Sequence, residues 1–170
     1  MKRNKVVLVD EMDHVLGEMD KMEAHEKGIL HRAFSIFIFN NKGQMLIHQR
    51  ANEKYHGGGL WTNACCSHPQ WNEEIKDSAE QRLQFEMGLQ CDLKKVFAFV
   101  YNTPVENDLI EHEYDHVLVG YTNQQPTPNP SEVQAYKWID KLELLQKIKD
   151  QPDLFTYWFR MALPQIIAQI

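Results

Sequence analysis

Disulfides, membrane spans and a nucleic-acid footprint are what this sequence most plainly lacks. Its 170 residues hold three cysteines, an odd number, and Cys65 and Cys66 are neighbours. Such a set is no disulfide framework and points to a reducing compartment. Lys2, Arg3 and Lys5 precede a short apolar run, Val6–Val9. A signal peptide needs a longer one, and no run approaches membrane-spanning length. A cytoplasmic protein without membrane contact is therefore expected. The formal charge of −6 offers no basic surface to nucleic acid. An anionic small molecule needs only a local cationic pocket. Repeats and low-complexity tracts are absent as well.

What is present reads as one globular domain over residues 1–170, with 43% hydrophobic and 25% charged residues. Residues 5–9 suggest a first strand, and 17–28 are polar and acidic. His31–Phe39, dense in aromatic and β-branched residues, predicts a strand buried on both faces. Asn40–Gly43 is a turn signal, and Gln44–Gln49 returns as a hairpin arm. Arg50–Gly59 is a loop ending in three glycines. Ile75, Ala79, Leu83 and Met87 recur every four residues, which predicts a helix over Glu73–Met87 stopped by Gly88. Lys95–Tyr101 and Glu113–Tyr121 are strand candidates joined by Asn102–Asp108. Gln124–Pro130 is a loop and Gln134–Ile139 a last strand. Lys141–Asp150 and Asp153–Ile170 are helical, the second kinked or broken near Pro164. This order predicts an α/β (α+β) fold, a mixed sheet flanked by helices.

The densest chemistry lies in Trp61–Gln70, W-T-N-A-C-C-S-H-P-Q. Pro69 pushes His68 toward an extended backbone. If the preceding residues are extended too, Ala64, Cys66 and His68 share one face and Cys65 and Ser67 the other. Cys66 is then the thiol that shares a ligand with His68, while Cys65 and Cys91 are packing residues. His25, His31, His68, Glu111 and Glu113 form a donor set suited to Mn²⁺, Zn²⁺ or Mg²⁺. Glu111 and Glu113 share one strand face, with His112 on the other. Spacing alone leaves open whether these five converge or are hydrogen-bonded and surface groups. Lys21, Arg50, Lys54 and Arg82 read equally as a cationic pocket or as solvated charge. An Arg82–Glu86 pair, four apart, also has a plain helical salt bridge as its explanation. Tyr101 and Trp158 read as core aromatics.

Four segments carry a resemblance that spans about Val6 to Trp158. They are H-R-A-F-S at His31–Ser35, W-T-N-A-C-C-S-H-P-Q at Trp61–Gln70, E-H-E at Glu111–Glu113, and Y-W-F at Tyr157–Phe159. Together they resemble the type I isopentenyl-diphosphate isomerases, which have a Nudix fold. The resemblance implies a metal site of His25, His31, His68, Glu111 and Glu113. It implies Cys66 and Glu113 as the catalytic pair, with the Tyr101 hydroxyl near the reacting carbons. Glu86 would help hold a Mg²⁺ on the substrate diphosphate. Lys21, Arg50, Lys54 and Arg82 would bind that diphosphate, and Trp158 would cover the hydrocarbon end. The expected partner is a small isoprenoid diphosphate, and the expected state a monomer or weak homodimer. The chain ends soon after Trp158, so no long terminal lid is expected.

The Nudix pattern is degraded. Ser67 stands at its first glycine, Phe85 replaces a metal-holding glutamate, and Gln81 and Arg82 replace its Arg-Glu pair. A phosphoanhydride hydrolase needs that carboxylate cluster for its cations. The departure favours isomerisation over a Nudix-type diphosphate hydrolase, and over a non-catalytic binding module.

Overall fold

The computed structural model describes residues 3–169. Lys2 and Ile170, which entered the expectations above, lie outside the described residues. Strand β3 (His31–Phe39) is the element against which the others are laid. Phe34, Ile36 and Ile38 pack under helix α2 (Ile75–Met87), and Phe37 and Phe39 pack toward α4 (Tyr157–Gln169). The strand is thus buried on both faces, as its unbroken apolar run predicts.

Strand β8 (Ile110–Tyr121) runs parallel to β3 along its whole length, and β7 (Lys94–Pro104) pairs antiparallel with β8. On its other side β3 meets three partners in turn. These are β1 (Lys5–Val9) at His31, β6 (Cys65–Ser67) at Phe34–Ile36, and β4 (Met45–Arg50) at Phe39. β2 (Val15–Asp20) closes a hairpin with β1, while β5 (Trp61–Thr62) and β9 (Val133–Ile139) flank β4. With α3 (Lys141–Asp150) contributing Leu144 to the α4 side, the architecture is the expected mixed sheet between helices. Among the described residues no helix is long and apolar enough to cross a membrane.

Several boundaries differ from the sequence expectation. Residues 17–28 hold the end of β2 and all of helix α1 (Lys21–Lys27). β2 is an exposed edge strand without apolar alternation, and α1 is too short to show a period. Its signals are at its ends. The Asp20 carboxylate accepts from the amides of Met22 and Glu23, and Gly28 closes the helix at φ 67°. β7 and β8 are longer than expected, so their connection shrinks to residues 105–109. α2 starts at Ile75 because Glu73 is engaged elsewhere. Its carboxylate accepts from the Gln70 amide and pairs with Arg3 at 3.0 Å. The terminal helix is not broken at Pro164; its interruption falls earlier. A 3₁₀ turn at Pro152–Leu154 ends at Phe155, and α4 begins at Tyr157. Burial of Trp158, Phe159, Ala162, Leu163 and Ile166 outweighs the backbone bond lost at the proline.

His48 on β4 is fully buried, its Nδ1–H donating to the Ala64 carbonyl at 3.0 Å. Burial, with Arg50 nearby, drops its pKa to about 3. The unfolded chain takes up this proton below about pH 6.5 and the folded chain does not, so stability falls as pH drops between those values. This histidine alone removes about 2 kcal/mol between pH 7 and pH 5. Urea denaturation of His48→Asn is expected to show a pH slope smaller by one proton in that window; an unchanged slope would refute it.

Candidate active site

The site is a row across three strands. The β3–β8 register sets His31 beside Glu113, and the β7–β8 register sets Tyr101 on Glu113's other side. His31 Nε2 is 3.0 Å from Glu113 Oε2, and the Tyr101 hydroxyl donates to Glu113 Oε1 at 2.5 Å and to Glu111 Oε2 at 3.2 Å. Glu111, Glu113 and Asp115 alternate onto this face, while His112 turns away to the Gly28 carbonyl.

His68 comes from the segment after β6, its Nε2 2.8 Å from the same Glu113 oxygen. Arg3 bonds the His68 carbonyl and Glu73, which fixes the chain around Pro69. His25 comes from α1. Its Nδ1–H donates to the Lys21 carbonyl one turn back at 2.7 Å, so Nε2 carries the lone pair. That Nε2 is buried, has no hydrogen-bond partner among the described residues, and lies 3.9 Å from Glu113 Oε2.

His25, His31, His68 and Glu113 can present donor atoms all within 4.8 Å of one another, and so can His25, His56 and Glu111. An orphaned imidazole nitrogen aimed at a buried carboxylate is what a cation site offers, and the borderline donor set fits a divalent ion. Burial pushes both carboxyls up, but hydrogen bonds from His31 and His68 outweigh it and hold Glu113 well below the usual range. Burial and the Glu113 charge push Glu111 well above it.

Cys66 and Cys65 separate as strand parity predicts. Cys65 is sealed with Ala79 and Leu83 under α2, while Cys66 opens into a cavity of about 590 Å³. Ala64 breaks the expected pattern, packing with Cys65, because the chain bends at Asn63–Ala64 before β6 begins. The Cys66 thiol donates to Asn63 Oδ1 at 3.1 Å and accepts from the Trp158 indole N–H at 3.0 Å. Asn63 is itself pinned, its amide N–H groups donating to the Ile36 and Cys65 carbonyls. Burial, with Asp115 nearby, raises the thiol to about 12.

The same cavity is lined by Lys21, Arg50, Lys54, Arg82 and Glu86. Arg82 pairs with Glu86 at 2.7 Å, as the four-residue spacing predicts, and lies 3.6 Å from Glu132, which also pairs with Lys54 at 2.5 Å. Arg50 lies over the Trp158 ring, 5.3 Å from its centroid. Glu86 falls outside both metal-capable groups, and Phe85 stands half-exposed at the rim beside Arg82. Sequence reasoning missed His56, Asn63 and Glu132. His56 sits beside the three glycines and Asn63 within the T-N dipeptide of the densest segment, so both had a signal; Glu132 had none.

Asn63 Oδ1 also accepts from the Thr62 hydroxyl at 2.8 Å. Asn63→Ala is expected to lower stability by about 3 kcal/mol, because buried donors lose their acceptor. Chemical denaturation checks this, and a loss under 1 kcal/mol would contradict it.

The NUDIX domain family model matches residues 29–159. Isopentenyl-diphosphate Delta-isomerase 2 of Aromatoleum aromaticum is 46% identical over 165 residues, 97% of this chain and 87% of that protein. Isopentenyl-diphosphate Delta-isomerase 2 of Photorhabdus laumondii is 49% identical over 93% of this chain and 89% of its own length. The crystal structure of DR0079 from Deinococcus radiodurans superposes with a TM-score of 0.71 at 18% identity, covering 86% of this chain and 89% of that one. A MutT protein of Methanosarcina mazei gives 0.68 at 15%, covering 82% and 94%. At those identities the two structures speak for the fold alone, whereas the sequence relatives reach the family. The chain therefore belongs to the isopentenyl-diphosphate Delta-isomerases, on a NUDIX domain.

Proposed function

We propose that this protein, as one domain, interconverts isopentenyl and dimethylallyl diphosphates in the cytoplasm. One observation carries the proposal: Cys66 and Glu113, on two strands that both pair with β3, open into one cavity that also holds Trp158. The reaction adds a proton to the terminal alkene carbon and removes one from the carbon nearer the diphosphate, through a tertiary cation. Two acid–base groups reaching one bound chain are therefore required. With Cys66 as a thiol and Glu113 as a carboxylate, Cys66 gives a proton to the carbon nearer the diphosphate of dimethylallyl diphosphate, and Glu113, bonded to Tyr101 at 2.5 Å, takes one from the terminal carbon. The opposite direction starts from the state this leaves, a Cys66 thiolate with the proton on the Glu113–Tyr101 pair. The Trp158 ring favours the cation by roughly 2 kcal/mol when water is excluded.

His25, His31, His68, Glu111 and Glu113 would hold a divalent ion, Mn²⁺, Zn²⁺ or Mg²⁺. When bound, it supplies positive charge that keeps the carboxylates ionised and tunes their acidity. At the diphosphate end, four cations face the two carboxylates of Glu86 and Glu132, a modest surplus. A diphosphate carrying its own Mg²⁺ brings a counter-ion for the two carboxylates, with Glu86 as a ligand. Hydrolysis is disfavoured because α2 gives the cavity a single carboxylate, Glu86, with Arg82 and Phe85 beside it. A monomer or weak homodimer acting on this small molecule, without nucleic acid or membrane, completes the proposal.

Incubation with isopentenyl diphosphate, Mg²⁺ and Mn²⁺ in heavy water, followed by NMR, is expected to give deuterated dimethylallyl diphosphate without free phosphate. Phosphate release without isomerisation would establish the hydrolase instead. Cys66→Ala is expected to lower kcat by about three orders of magnitude, while Cys65→Ala leaves it near wild type; the reverse pattern would overturn the catalytic pair. Trp158→Ala is expected to lower kcat about 30-fold, the equivalent of roughly 2 kcal/mol. Its KM should change little, and an equal loss in both would remove the cation-stabilising role.

A further inference from the structure

His56 is a buried histidine whose ring has no hydrogen-bonding work among the described residues. It is 3% exposed, and neither Nδ1 nor Nε2 has a partner. Its backbone, by contrast, is fastened on every side. The Tyr55 carbonyl accepts from Asn107, the His56 carbonyl from the Arg50 guanidinium at 2.9 Å, and the Gly57 amide donates to Glu106 at 2.6 Å. Gly58 lies so close to the loop's start that a Cβ there would meet the Asn52 carbonyl oxygen at 2.6 Å. Edge-on contacts with Tyr55 at 4.4 Å and Trp158 at 5.9 Å fix the ring's orientation. A tightly held imidazole with both nitrogens unused is costly unless something fills the space before them.

That space faces Glu111. His56 Nε2 lies 3.6 Å from Glu111 Oε1, itself a buried oxygen without a partner. The separation is too long for a hydrogen bond. It suits two donors on one cation, which at about 2.1 Å from the metal lie roughly 3 to 4 Å apart. The neighbouring His25 Nε2–Glu113 Oε2 separation of 3.9 Å has the same character.

We propose that His56 is a ligand of the same single cation, so that four imidazoles and two carboxylates surround it. This rests on the metal centre proposed above. His25 belongs to both metal-capable groups, yet its Nδ1 is spent on the Lys21 carbonyl and Nε2 has one lone pair to give. Two ions cannot both use it, so both groups can be occupied only by one shared ion, with the His56 and Glu111 side chains drawn toward His31, His68 and Glu113. A fourth imidazole shifts the preference toward borderline ions such as Zn²⁺ and Co²⁺ and away from Mg²⁺, which favours oxygen donors.

Titration of the metal-free full-length protein with Co²⁺ alone, followed by visible absorption, tests this. Wild type is expected to bind one ion per chain, with Zn²⁺ displacing it. His56→Ala should change the energy and intensity of the ligand-field bands and weaken Co²⁺ and Zn²⁺ binding by at least about tenfold. Mg²⁺ competition should change less. If the alanine variant does not fold, His56→Gln carries the same comparison. An unaltered spectrum and affinity would place His56 outside the coordination sphere and overturn the proposal while leaving the metal centre standing. Two ions per chain would overturn it also. No Co²⁺ bound by wild type would remove the metal centre itself.

Discussion

Parallel pairing of β3 with β8 is the constraint on which the rest depends. A parallel ladder fixes nine consecutive partners, from His31 with Glu113 to Phe39 with Tyr121. One residue of slip would turn Glu111, Glu113 and Asp115 to the opposite face and bring His112, Tyr114 and His116 inward. The apolar ends of both strands prevent it. Phe37, Phe39, Val117 and Val119 must meet α4 while Phe34, Ile36 and Leu118 meet α2. The core at one end of the strand pair thus sets the aim of the polar side chains at the other.

Those polar groups are held at an energetic disadvantage. Glu111, Glu113, Asp115, His25, His31 and His56 are all nearly inaccessible to water, and several of their nitrogens and oxygens lack partners among the described residues. Such a cluster is tolerated because the flanking strands and α1 over-determine it, and its unmet hydrogen-bonding capacity is what makes it a site. The thiol side is arranged differently. Asn63 is saturated by backbone carbonyls and neighbouring donors, so Cys66 is positioned by a rigid amide rather than by charge.

Much of this was legible in the sequence. The β3 strand, the α2 stripe and the shared face of Glu111 and Glu113 follow from short-range periodicity, which is local information. The separation of Cys66 from Cys65 also followed from strand parity, but the rule holds no further: Ala64 packs with Cys65, and Ser67, expected on the far face, lines the cavity with Cys66 and His68. β2 and α1 were not legible, because one is an exposed edge and the other is seven residues held by its caps. His25 and His31 have a spacing that fits no single element, since Gly28 reverses the chain between them. His56 escaped notice because a loop has no period, so only the fold reveals that its backbone is fastened and its ring enclosed.

Helix α1 carries Lys21 and His25 one turn apart, the first lining the cavity that also holds the cationic cluster and the second facing the buried carboxylates. Seven residues would form only a marginal helix by themselves, but this one is capped at both ends and anchored by a buried Ala24 and His25. Its single turn from Lys21 to His25 therefore acts as a ruler, setting the spacing between the cationic and imidazole ends of the cavity.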